Sequence, residues 1–321
     1  MTATLEAPTR LVPWLGVGTD VSRAATAQEA ARLSGLDFDV SLRRMAYWDS
    51  GDWKEDPDRV RIVRDDTGAR FGIASPGYEP VQYDEAFGFV DAMTPHFVAA
   101  GPLRGGRQGF MVVQTSDDAL RHLDLEVRGQ GDRHGTFVVM RTSHDLSRGI
   151  ELTALMLRYS CTNQITGSAF AKNAPWRWSI RHVRGAREQL EQAQRVLTNV
   201  GAFRDAFAET ARQLAAIELT IDEAREILTQ VLGTPRSRPK TAGTVERILG
   251  AWQSSPTVGF FPTGWGLVNA LGEDIDWNRH LTASGKERGG ARHEARFLGA
   301  LQGANLKYTG RTAHLLLRQR G

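Results

Sequence analysis

The chain has 321 residues, 40 Lys+Arg against 37 Asp+Glu, 41% hydrophobic and 24% charged residues, and one cysteine, Cys161. This composition excludes a disordered or fibrous chain. The lone cysteine excludes an internal disulfide framework and a cysteine-based zinc site, and no apolar run reaches the roughly 20 residues that span a bilayer. No basic segment followed by an apolar one opens the sequence, so a cytoplasmic location is expected. The net charge of +3 conceals four blocks: −6 over residues 1–100, +5 over 101–184, −3 over 185–278 and +7 over 279–321. Because charges act within about 8–10 Å in salt, two basic blocks matter more than the total. They suit a polyanion, or they are solvated faces answered by acidic ones.

After an irregular lead, Thr26 has the chemistry of a helix N-cap and Gly35 that of its stop. Strand patterning begins at Phe38 and runs to Trp48, and Val60, Ile62, Phe71 and Ile73 flank an Asp65-Asp66-Thr67-Gly68 turn, which predicts a hairpin. Asp84 opens a helix carrying Phe87, Val90 and Met93. Strands are predicted over 109–115, 122–128 and 135–142. The segment Trp176-Arg177-Trp178-Ser179-Ile180-Arg181 alternates as a half-buried strand. The period then becomes helical: Leu190, Ala193, Leu197, Val200, Phe203, Phe207, Ala211 and Leu214 predict one helix of about 30 residues. Thr220 with Glu223 forms a capping box. A Pro-rich basic loop at 234–243 precedes helices at 244–253, 263–281 and 291–319. Strands dominate residues 1–183 and helices 184–321. The expected fold class is therefore α+β: an antiparallel sheet-rich N-terminal domain followed by a helical C-terminal region.

The common enzyme signatures fail. Ser284-Gly285-Lys286-Glu287 lacks the hydroxyl that ends a phosphate-binding loop, and His293-Glu294 lacks the second histidine of a zinc protease motif, Phe297 standing in its place. Three constellations remain. Arg141-Thr142-Ser143-His144-Asp145-Leu146-Ser147-Arg148 closes an apolar strand. It reads as a polar turn, as a phosphate contact, or as a proton-transfer site in which Asp145 reaches His144 only if the chain turns there. Arg158, Asn163, Lys172, Trp176, Arg177, Trp178, Arg181, His182 and Arg184 interleave cations and aromatics, as single-stranded nucleic acid sites do. The same alternation arises when the tryptophans face a core and the arginines face water. Arg104-Gly105-Gly106-Arg107 is either a tight turn or a loop whose amides approach an anion.

Several ordered pieces carry a family resemblance: Pro13-Trp14-Leu15-Gly16, Gly35-Leu36-Asp37-Phe38-Asp39-Val40, Tyr78-Glu79-Pro80-Val81-Gln82, Glu85-Ala86-Phe87, Leu103-Arg104-Gly105-Gly106-Arg107, Ser143-His144-Asp145, Cys161-Thr162-Asn163-Gln164, Ile180-Arg181-His182 and Thr263-Gly264-Trp265-Gly266-Leu267-Val268-Asn269-Ala270. Together they resemble the phage/plasmid-like proteins that carry domain of unknown function 932. Leu15 stands where that family often has histidine, and Leu146-Ser147 where it often has Gly-Ser. A role for that first histidine therefore does not transfer. The resemblance implies a mobile-element origin and no reaction. The expectation is a DNA-binding accessory protein of a phage or plasmid that binds or anneals single-stranded DNA, forms homo-oligomers, contacts no membrane and needs no cofactor or metal. Its phosphate contacts would be Arg104, Arg107, Arg141, His144, Arg148, Arg158, Lys172, Arg177 and Arg181, with bases stacking on Trp176 or Trp178. The rival expectations are a phosphodiester-handling enzyme using His144 and Asp145, and a structural protein that assembles through its helical half.

Overall fold

A computed structural model describes residues 14, 16–159, 164–165, 177–180, 186–233, 241–255, 258–275, 290–301 and 306–320. Two antiparallel sheets are followed by helices, so the fold is α+β. The large sheet contains β1 (Thr19–Asp20), β5 (His96–Leu103), β6 (Gln108–Gln114), β8 (Gln130–Ser143), β9 (Ile150–Arg158) and β10 (Gln164–Ile165), in that spatial order. Strand β8 is long enough to serve two neighbours. Its second half pairs with β6, and its first half forms a hairpin with β7 (His122–Val127). Strand β11 (Arg177–Ile180) pairs with the start of β9. The small sheet has the order β2 (Val40–Asp49), β3 (Asp52–Arg64), β4 (Arg70–Ala74).

Local chemistry sets the boundaries. In α1 (Ala27–Ser34), the Thr26 hydroxyl accepts the Glu29 amide, and Gly35 closes the helix in the left-handed conformation that its missing Cβ permits. In α5 (Ile221–Leu232), Thr220 and Glu223 satisfy each other's amides as a capping box. The helix begun near Asp84 is a short α2 (Tyr83–Phe87) continued by a 3-10 turn, Gly88–Met93. A four-residue α3 (Asp118–Arg121) leads into β7.

The first face of the large sheet carries most of the core. The 31-residue α4 (Ala186–Ala216) lies along it. Its first half buries Ala193, Val196 and Val200 with Val138, Met140 and Leu152. Its second half buries Phe203, Phe207, Ala211 and Leu214 with Leu125, Ala154 and Met156, against α5, α6 (Thr241–Ser254), α7 (Gly264–Glu273) and α9 (Leu306–Arg320). Each fully buried phenylalanine contributes about 1.5–3 kcal/mol. Because α4 spans both clusters, the helical half and the sheet are packed as one body across residue 183. Leu190 departs from the predicted stripe and is exposed. The second face is covered by Trp14 and α8 (Gly290–Leu301), through Trp14 on Phe137 and Phe297 on Phe110. The predicted helix over 291–319 is thus two helices packed on opposite faces. No described helix is long and apolar enough to cross a membrane.

Candidate functional site

Three of the family-like segments meet at one end of the large sheet. The β5–β6 turn, Arg104–Arg107, lies beside the β8–β9 loop, because Gln108 pairs with Ser143 and the His144 amide donates to the Arg107 carbonyl at 2.8 Å. Arg104, Gly105 and Gly106 have φ of 51°, 68° and 85°. The glycines take this left-handed backbone freely, while Arg104 does so at a cost of order 1–2 kcal/mol. Two contacts hold the turn: the Arg104 amide donates to Glu294 Oε1 of α8 (2.8 Å), and the Tyr83 hydroxyl donates to the Gly106 carbonyl (2.9 Å).

On the face toward the small sheet, His144 is 1% exposed and sits among Tyr83 (ring centroids 4.3 Å apart), Phe71 (6.3 Å) and Phe38 (6.5 Å). Gly109 makes room for this box, since a Cβ there would lie 2.7 Å from the Tyr83 ring. Burial pushes the imidazole pKa down to about 4, against a small opposing pull from Asp145. Among the described residues, neither ring nitrogen has a hydrogen-bond partner, and Gln108 Oε1 has none either. Asp145 does not orient the imidazole. Its carboxylate accepts the Ser147 amide at 3.0 Å and the Ser147 hydroxyl, closing a turn. Burial raises the Asp145 pKa, but those hydrogen bonds outweigh it and leave the group below its usual range. Gln108 Nε2 donates to Ser147 Oγ (2.9 Å), joining the two connections.

On the opposite face, three guanidinium groups converge on one carboxylate. Glu151 accepts from Arg141 (3.0 Å), Arg148 (2.8 and 3.1 Å) and Arg177 (3.0 Å). Burial raises the Glu151 pKa, yet the hydrogen bonds from Arg141 and Arg148 and the charges of Arg177 and Arg148 leave it lowered overall. Arg148 is fixed from behind, because its amide donates to Ser143 Oγ and its carbonyl accepts from the same hydroxyl, both at 3.0 Å. Among the described residues, three cations face one anion, an excess of two positive charges. Arg104 and Arg107, in the β5–β6 turn, and Arg70, beside Arg107, lie at the same end of the large sheet. All three are exposed and, among the described residues, have no carboxylate partner; Arg107 also donates to the Arg70 carbonyl at 3.4 Å.

The structure removes two arginines from the predicted phosphate-binding set. Arg141 is 3% exposed and committed to Glu151. Arg158 is 2% exposed and donates to Asp132 Oδ1 at 2.6 Å, while Trp265 Nε1 donates to Asp132 Oδ2 at 2.8 Å. A buried guanidinium in an ion pair has no group to offer a surface phosphate. His144 is likewise enclosed and neutral. Trp178 is half-buried and packs against the core beneath α4. Lys172, Trp176 and Arg181, with Cys161, Asn163, His182 and Arg184, lie outside the described residues. Arg104, Arg107, Arg148 and Arg177 remain at the sheet end. Arg70 was not predicted: it is separated by 34 positions from Arg104, and only the tertiary fold brings them together. The exposed pair Trp48 and Trp53 was also missed, although two tryptophans symmetric about an Asp-Ser-Gly-Asp turn are a hairpin signal.

A family model described as a domain of unknown function, DUF932, matches residues 70–299. Comparison with curated proteins and with solved structures finds no match.

Proposed function

We propose that this chain, which belongs to the DUF932 family, binds single-stranded nucleic acid, with phage or plasmid DNA as the ligand. The phosphates would lie on Arg70, Arg104, Arg107, Arg148 and Arg177 at the end of the large sheet. The observation that carries the proposal is the positive excess there: three exposed arginines without carboxylate partners among the described residues, beside a cluster of three arginines on one glutamate. Arginine presents a planar fork of donors that matches a phosphate bidentately. An extended single strand can follow such a row without the groove that a duplex requires. The enzymatic alternative has less support, because Asp145 is bonded to Ser147 instead of His144 and the imidazole is enclosed by aromatic rings.

Fluorescence anisotropy with a labelled single-stranded oligonucleotide tests this. Micromolar binding is expected at about 50 mM salt, weakening with a log–log slope of about −0.7 per phosphate contact. The Arg104→Ala/Arg107→Ala double variant should flatten that slope by about 1.4. Absence of binding at low salt, or a slope unchanged in the double variant, would refute the assignment. A duplex competitor that displaces the strand at equal concentration would redirect it to double-stranded DNA.

A further inference from the structure

The β2–β3 hairpin ends in a feature that the sheet end does not explain. Trp48 and Trp53 form a cross-strand pair with ring centroids 5.5 Å apart, yet they are 59% and 66% exposed, and neighbouring Tyr47 is 49% exposed. At about 200 Å² per large aromatic side chain, the tip leaves on the order of 350 Å² of apolar surface in water. The tip is set apart from the rest of the hairpin. The register shifts between Arg44 and Ala46, where the partner strand carries the unpaired Asp56-Pro57-Asp58-Arg59. Pro57 has no amide to give the ladder, and a bulge is where a strand tolerates it.

Charge decides what the tip fits. Asp49, Asp52, Glu55, Asp56 and Asp58 stand against Lys54 alone between residues 46 and 58. Lys54 is paired with Asp49, and Glu55 with Arg44, while Asp52, Asp56 and Asp58 have no cationic partner among the described residues. With Arg44 and Arg59 counted, the segment keeps a net charge of −2, which disfavours nucleic acid and anionic lipid and favours a cationic surface.

Helix α9 presents one. Lys307, Arg311, His314 and Arg318 recur at i, i+4, i+7 and i+11, so they share one face, and all four are exposed. None has an ion pair among the described residues, and α9 contains no acidic residue. The stripe is about 16 Å long at 1.5 Å per residue. The carboxylates from Asp52 to Asp58 span about 15–20 Å of strand. Half-buried Tyr308, Leu315 and Leu317 flank the stripe and give the indoles apolar ground. In one chain the two elements belong to different cores: β2 and β3 pack with α1 and the aromatic box, and α9 packs with α5 and α7.

We infer that the Trp48–Trp53 tip of one copy docks on the α9 stripe of a second copy. The two surfaces differ, so the contact is head-to-tail: a docked pair keeps a free stripe on one copy and a free tip on the other, which builds rings or filaments. The apolar area is about half of what one side of a standard interface buries. A weak association is expected of so small a contact, with Kd on the order of 10 μM, and it should weaken with salt.

Sedimentation velocity on the full chain without nucleic acid tests the inference. The wild type should assemble with rising concentration. Trp48→Ser/Trp53→Ser and Arg311→Glu/Arg318→Glu should each sediment as monomers, weakened at least tenfold, with unchanged far-UV circular dichroism. An equimolar mixture of the two variants should give a one-to-one dimer that grows no further, since only one intact tip and one intact stripe meet. A wild type that stays monomeric at about 100 μM, ten times that Kd, would overturn the inference. So would an α9 variant that assembles as the wild type does, which would mean the tip docks elsewhere, or loss of oligonucleotide binding by the tip variant of a monomeric protein.

Discussion

Two carboxylates on adjacent strands hold arginines in opposite ways. Asp132, near the start of β8, is paired with Arg158. It also accepts from the Trp265 indole and lies beside buried His134, so the pair and its surroundings are closed to solvent. Glu151, near the start of β9, binds three arginines at the rim, two of which, Arg148 and Arg177, are only partly buried. A buried charge pair is fully matched because an excess charge would have no water to solvate it. At a rim the excess is tolerated, and it produces a field outside the protein. Arginine count alone cannot separate a structural lock from a binding surface; the ratio of cations to anions and the burial of each do.

The largest effect that tests this contrast is the loss of Asp132. Asp132→Asn removes the buried carboxylate paired with Arg158 and should destabilise the fold by about 3–5 kcal/mol, read as the urea midpoint. Acid comes next. Burial holds His134 and His144 to pKa values of about 4, below the ordinary value of 6.5. Their neutral forms are favoured in the fold, so the stability tied to them is complete above pH 6.5 and is lost as pH falls toward 4. Each contributes roughly 3 kcal/mol across that window, and His144→Gln should flatten its share of the pH–stability curve. Glu151→Gln should cost less than Asp132→Asn, about 1.5–3 kcal/mol, because Arg148 and Arg177 can turn to water while buried Arg141 loses its carboxylate. The same change should tighten oligonucleotide binding and steepen its salt slope. If it costs as much as Asp132→Asn and leaves binding unchanged, the contrast between lock and surface is broken.

Local chemistry made much of the fold legible. The Thr26 cap, the Gly35 stop, the Thr220–Glu223 box and the Asp65–Gly68 turn each rest on residues within a few positions of one another, and all appear in the structure. The buried strands β6 and β8 and the long stripe of α4 were legible through their apolar periods. The first half of β3 was not. Asp52-Trp53-Lys54-Glu55-Asp56-Pro57-Asp58 is exposed on both faces, so no alternation records it. The fates of Arg141, Arg158 and Trp178 were also hidden. Each depends on a partner set by strand register or by helix packing: Glu151 for Arg141, Asp132 for Arg158, and the core beneath α4 for Trp178. A basic residue on a strand has the same letter whether it faces phosphate or a buried carboxylate.

The second face of the large sheet has a consequence for how the chain is made. Trp14 and Phe297 cover it together, on Phe137 and Phe110. Synthesis proceeds from one of these residues to the other, so the ribosome must deliver the 283 positions that separate them before that face can close. Until α8 emerges, Phe110, Val112, Val139 and Leu155 line an open apolar surface on a nascent sheet. Such a chain is vulnerable to aggregation during elongation. Its yield in a cell should therefore depend on the chaperones that attend translation more than on the stability of the finished fold.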